Sequence, residues 1–163
     1  MDEEIADIVR QHGWFAANVS DAHPPFLYSI GLMTTWNHPE FIVFGLESNV
    51  SHGLISRLID EIRKGKSFAE AGVYPVNLGE TEIQIGIRRV HPTQHSRCLG
   101  FAMGFARRSN LDEELEAMQV FWPDQNGKFP FDVGCAFRTF TLQPRIDVGL
   151  TPSEIREFER QWE

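Results

Sequence analysis

Apolar positions along the chain fall into short runs whose spacing switches between the helical and the extended period. Ile5, Ile8 and Val9 recur at helical spacing behind the acids Asp2, Glu3 and Glu4, and Gly13 follows, so a short amphipathic helix is predicted there. Trp14 to Val19 and Phe26 to Leu32 read as strands on either side of the turn-forming cluster Ser20 to Pro25. Phe41 to Leu46 is an unbroken apolar run bounded by Pro39 and Glu47, the pattern of a strand covered on both faces at the centre of a sheet.

Val50, Leu54, Ile55, Leu58, Ile59 and Ile62 form one apolar stripe, which predicts a helix from about Val50 to Lys64, capped by Ser48 or Asn49 and ended by Gly65. Tyr74 to Leu78 and Glu82 to Val90 are predicted strands joined by a turn near Gly79. In the second, Ile83, Ile85 and Ile87 alternate with Gln84, Gly86 and Arg88, as in a sheet with one wet face. Ser96 to Arg108 reads as a helix packing Leu99, Ala102 and Phe105, weakened by Gly100 and Gly104. Ala117 to Trp122 is a strand ending at Pro123, Asp124-Gln125-Asn126-Gly127 a tight turn, and Val133 to Leu142 a last strand. Thr151-Pro152-Ser153-Glu154 is a capping box opening a C-terminal helix with Ile155, Phe158 and Trp162 on one face. Without repeats or linkers, these segments predict one domain over residues 1–163, of the α+β class, with a mostly antiparallel sheet packed in layers by about three to four helices.

Composition narrows the function classes. The chain carries 13 Phe and 4 Trp against 2 Tyr, so its core is built largely from rings that ask for few hydrogen-bond partners. Its net charge of −8 repels phosphate backbones and anionic lipid, and nucleic acid is not an expected partner. Cys98 and Cys135, the two cysteines, read as reduced thiols. The N-terminus has no basic segment followed by an apolar run, and no stretch reaches the ~18 apolar residues of a membrane span. A cytoplasmic protein is expected.

Three phrases occur in order: Tyr28-Ser29-Ile30-Gly31-Leu32, then His38-Pro39-Glu40, then Trp122-Pro123-Asp124 with Gly127, Phe129-Pro130-Phe131-Asp132 and Gln143-Pro144. Together they resemble the bacterial family catalogued as domain of unknown function 4262, over about residues 13–144. Ser29 stands where the family more usually has Thr, Asn37 where Gly often precedes His-Pro-Glu, and Phe131 where Trp is common. The resemblance implies a shared fold and leaves activity open.

His38-Pro39-Glu40 offers an imidazole and a carboxylate side by side ahead of a buried strand, an acid/base candidate whose structural alternative is a loop held by these side chains. The H-x-E spacing is shared with zinc deaminases, but those also need Pro-Cys-x-x-Cys, and this chain has no C-x-x-C pair. Trp122, Asp124, Phe129, Phe131 and Asp132 surround a turn with rings and carboxylates, a mixture that grips a ring or a cation; if Asp124 and Asp132 approach one another, one can be held protonated. His91, His95 and Cys98 are spaced for metal ligation, yet Pro92 interrupts and no fourth ligand is evident, so no metal and no cofactor are expected. Arg88 projects opposite the isoleucines, where it can reach a carboxylate or phosphate.

The leading expectation is a binding module for a small ligand or partner protein, using Tyr28, His38, Glu40, Arg88, Trp122, Asp124 and Asp132, with the His38 and Trp122 loops meeting at one mouth of the sheet. Two enzymatic alternatives stand beside it. One is a hydrolase using His38 with Asp124, and the other a flavin-dependent protein, because the strand, strand and helix of residues 26–64 are similar in layout to split-barrel flavin reductases. A homodimer through the same motifs is a further possibility.

Overall fold

The computed structural model describes residues 2–110 and 115–160. Its elements are α1 (Asp2–His12), β1 (Phe15–Val19), β2 (Phe26–Ile30), α2 (Leu32–Trp36), β3 (Glu40–Phe44), α3 (Ser48–Arg63), β4 (Gly72–Leu78) and β5 (Thr81–Arg89). A short 3-10 turn (Pro92–Gln94) follows, then α4 (His95–Cys98), α5 (Gly100–Arg108), β6 (Ala117–Phe121), α6 (Phe137–Leu142) and α7 (Pro152–Arg160). The six strands make one open sheet in the order β1-β2-β3-β6-β5-β4, antiparallel throughout except for the parallel pair β3–β6. This is the expected α+β architecture. Helices exceed the expected three to four because α2, α4 and α6 are single turns or little more, too short for periodicity to reveal.

β3 and β6 lie at the centre and are buried at every residue, which is why they are mostly apolar without alternation, Glu40 and Gln119 being the buried polar exceptions. On one face, Leu54, Ile55, Leu58, Ile59 and Ile62 of α3 meet Leu27, Phe41, Val43, Ile85, Ile87, Met118 and Val120. Each of the five α3 aliphatics contributes about 1.5–3 kcal/mol by leaving water. The opposite face packs Tyr28, Ile30, Ile42, Phe44 and Ala117 with Ile5 and Val9 of α1 and Ala102 and Ala106 of α5. The sheet is closed at neither end, β1 and β4 being its edges, so the split-barrel analogy finds no barrel here. Pro75 sits in edge strand β4, the kind of strand where a missing N–H costs no ladder bond.

Several boundaries depart from the sequence reading for local reasons. α3 begins at Ser48 behind Glu47, with no side-chain cap from Ser48 or Asn49. The helix expected over 96–108 breaks at Leu99 into α4 and α5, ahead of Gly100. Gly13 closes α1 at φ 90, donating its N–H to Val9 O at 2.7 Å, and a Cβ there would fall 2.5 Å from the Trp36 ring. The strand expected over 133–142 is absent: both neighbours of β6 are already β3 and β5, and the segment instead turns at Gly134 and forms α6. The capping box is formed, Thr151 Oγ1 accepting from Glu154 N–H at 3.2 Å and Glu154 Oε1 from Thr151 N–H at 3.3 Å. Phe158's side chain and Trp162 lie outside what is described.

Candidate functional site

Glu40 opens β3 with its carboxylate 3% exposed, facing the first turn of α2. Oε1 accepts from Ser29 Oγ at 2.9 Å and Leu32 N–H at 3.1 Å, while Oε2 accepts from Gly31 N–H at 3.1 Å and Met33 N–H at 3.4 Å. Ser29 Oγ in turn accepts from Phe41 N–H at 2.8 Å. Burial pushes the carboxyl up to about 7, against the pull of four donors that each favour the charged form. The side chain therefore holds the β2–α2 corner rather than facing a solvent-filled site. The hydroxyl at Ser29 is the part that a threonine would share, and Asn37, at φ 52, occupies the left-handed region in which glycine is at ease.

His38 is 5% exposed, and both ring nitrogens are engaged. Nδ1 lies 2.7 Å from Pro39 O, and Nε2 accepts from Phe68 N–H at 2.9 Å, which fixes the neutral Nδ1–H tautomer. Burial holds its pKa below the usual imidazole value. The ring pins the loop after α3 by packing on Phe41 and Phe68. Tyr28 is likewise buried, its hydroxyl accepting from Phe101 N–H at 3.2 Å and pushed up to about 12 by burial.

At the other end of the sheet, Trp122 donates its indole Nε1–H to Phe44 O at 2.8 Å, tying the ends of the two central strands. Its backbone N–H donates to Gln143 Oε1 and its carbonyl accepts from Gln143 Nε2, both at 2.9 Å, so the buried Gln143 amide mimics a neighbouring strand. Gln119 does the same for Pro144 O and Ile146 N–H, at 2.6 and 3.1 Å. Asp124 Oδ1 accepts from Asn126 and Lys128 N–H at 2.8 and 2.9 Å, and Oδ2 from Ala136 N–H at 2.8 Å. The Ala136 and Lys128 bonds pull its pKa below the ordinary carboxylate value, so it is not a carboxylic acid kept protonated for catalysis. Asp132 Oδ2 closes its own turn on Phe129 N–H at 2.9 Å.

His38 and Trp122 do not meet. β3 and β6 run parallel in register, Glu40 opposite Ala117, so His38 precedes one end of the pair and Trp122 follows the other. About 13 Å of strand separates the two ends. The expected common mouth, and with it a hydrolytic pairing of His38 with Asp124, is not formed. The structure does bring Arg88 to Phe131: the guanidinium lies 4.0 Å from the ring centroid. The cation gripped by the aromatic loop is the protein's own.

Among the described residues no group of three or more His, Cys, Asp or Glu is arranged to hold a metal. His91 Nδ1 is spent on Thr93, and His95, whose Nε2 is buried without a partner, is lowered in pKa chiefly by burial and then by Arg89. Burial raises Cys98 and, with help from Asp124 and Asp132, Cys135, the opposite of an activated thiol. Sequence reasoning missed the outward face of the 133–142 segment, where Val133 is 98%, Phe137 81% and Phe140 49% exposed. It also missed Arg145 and Asp147, an ion pair beside Arg88 that no motif announces.

The fold and these contacts define an α+β protein on an open six-stranded sheet, whose motif carboxylates, imidazole and indole serve as internal fastenings. The chain belongs to the family described as Domain of unknown function (DUF4262), whose model matches residues 8–136. No curated protein and no solved structure matches it. No helix among the described residues is long and apolar enough to cross a membrane.

Proposed function

We propose that the protein is a binding module for a partner polypeptide, which it contacts through the aromatic face of the loop following Trp122. The observation that carries this reading is the exposure of Val133, Phe137 and Phe140 on a segment fastened from within by Asp124, Asp132 and Gln143. An apolar cluster on a rigid loop is costly in water and is characteristic of contact surfaces. Phe137 and Phe140 lie three residues apart on α6, a spacing that places both exposed rings on one side of the helix, and exposed aromatics are common interface anchors. Exposed Lys128 and Arg138 flank the cluster in a chain of net charge −8, which favours a partner segment bearing acids beside its apolar residues.

The test is photo-crosslinking from p-benzoylphenylalanine placed at position 137 in native lysate. A discrete polypeptide adduct that disappears on Phe140→Ser is expected, and an adduct of twice the protein's mass would make the partner a second copy. No adduct, or adducts unchanged by Phe140→Ser and matched by a probe at Glu82 on the far hairpin, would refute the proposal.

A further inference from the structure

We infer that an open pocket at the start of β4 binds a small oxyanion, a carboxylate or phosphoryl group, through the guanidinium of Arg88. The pocket has a volume of about 430 Å3 and is lined by Ala71, Gly72, Val73, Arg88, Phe131 and Asp147 among others. Neither Phe137 nor Phe140 lines it, so the inference is independent of the aromatic face proposed above.

Three features prepare Arg88 for a ligand. Its position is fixed by a stack: Phe129 and Phe131 lie nearly parallel, 5.2 Å apart at 13°, and the guanidinium caps the pair at 4.0 Å from the Phe131 centroid. The stack is pressed onto the sheet at Gly86, where a Cβ would come within 2.7 Å of Phe131 Cζ; only glycine lets the rings sit this low. Phe131 also meets Phe121 edge-on at 5.3 Å, so the platform is braced from a second side.

The nearby carboxylate is engaged elsewhere. Arg145 takes Asp147 with two contacts, Nε to Oδ1 at 3.2 Å and Nη2 to Oδ2 at 2.7 Å, in the fork geometry that strongly holds a carboxylate. Arg88 Nη1 stands 3.9 Å from the same Oδ2, at the outer limit of an ion pair. Asp147 is 6% exposed on its side chain, whereas the Arg88 side chain is 43% exposed and lines the pocket. A guanidinium is planar, and one held over a ring still presents an edge of donors suited to two oxygens of a single anion. Because the ring fixes it beforehand, little side-chain freedom is lost on binding.

The experiment titrates benzoate and, separately, inorganic phosphate into the intact protein at low salt, following the Gly72, Val73 and Phe131 amides by 1H–15N NMR. At least one probe is expected to give saturable shifts at these amides. Affinity falls about tenfold or more in Arg88→Gln, and in Arg88→Lys, which keeps the charge but loses the fork. Arg145→Gln frees Asp147 to close on Arg88 and weakens binding with Arg88 still present, so the test survives if Arg88→Gln fails to fold. Benzoate alone binding assigns the site to carboxylates, and phosphate alone to phosphoryl groups. Absence of saturable shifts with both probes, or wild-type affinity in a folded Arg88→Gln protein, would overturn the inference.

Discussion

Replacing His38 with alanine is the sharpest test of whether the imidazole is a fastening or a reactive group. Its Nε2 is the acceptor for Phe68 N–H, and leaving a buried amide without a partner costs about 1–3 kcal/mol. Removing the ring also opens a cavity against Phe41 and Phe68, for roughly 2 kcal/mol more. The sum is about 4 kcal/mol, which in a chain of this length lowers Tm by about 8–16 °C. Chemical denaturation and amide exchange at Phe68 measure the two parts separately. A pH series adds a sign. Burial keeps the folded pKa of His38 below 6.5, so below that pH the unfolded chain takes up a proton that the native ring resists. Wild-type stability therefore carries a His38 contribution that is present at higher pH and lost as pH falls through 6.5 toward the folded value. The gap between wild type and His38→Ala should narrow from about pH 7.5 to about pH 5. A loss under about 1 kcal/mol with Phe68 exchange unchanged, or a gap that widens on acidification, would refute this account.

Two other substitutions probe the same logic at each end of the sheet. Glu40→Ala strands Ser29 Oγ and the N–H groups of Gly31, Leu32 and Met33, and should destabilise by about 3–5 kcal/mol in urea titration, with exchange at Leu32 rising most. Asp124→Asn replaces one acceptor oxygen with a donor facing an N–H; proteolysis should then cut first within residues 124–136 while the strands stay protected, and uniform protection would contradict the reading.

The parts of this molecule that were legible in its sequence are those written in local periodicity. An apolar run marked β3 as central, Thr151 with Glu154 marked a helix start, and the alternation of Ile83, Ile85 and Ile87 marked a strand, although its expected wet face is covered at Gly86 by Phe131. α2 was not legible, because the five residues from Leu32 to Trp36 start against a carboxylate supplied by β3. The expected strand over Val133 to Leu142 contains Phe and Thr, which favour strands, and only the full sheet order shows that β6 has no free side to pair. The site suffered most from this limit. The sequence places His38 just before a buried strand and Trp122 at the end of another, but whether they share an end depends on β3 and β6 running in the same direction, which no local pattern encodes. Alternation puts Arg88 on the face opposite the isoleucines, whereas its stack on Phe131 depends on a loop returning over Gly86.

The parallel pairing of β3 with β6 also has the longest reach in sequence of any strand pair in the sheet. Its two hairpins, β1–β2 and β4–β5, close over short turns, whereas residues 40–44 must find residues 117–121 across everything between them. Such distant closure spends chain entropy before any burial compensates it, so we predict that amide protection of β3 and β6 appears later in pulsed hydrogen exchange than that of the two hairpins, and simultaneous protection would contradict this. Until the β3–β6 seam closes, the two strands that end up buried at every residue each have a bare edge, and a nascent chain released before residue 121 would expose β3 without its mate.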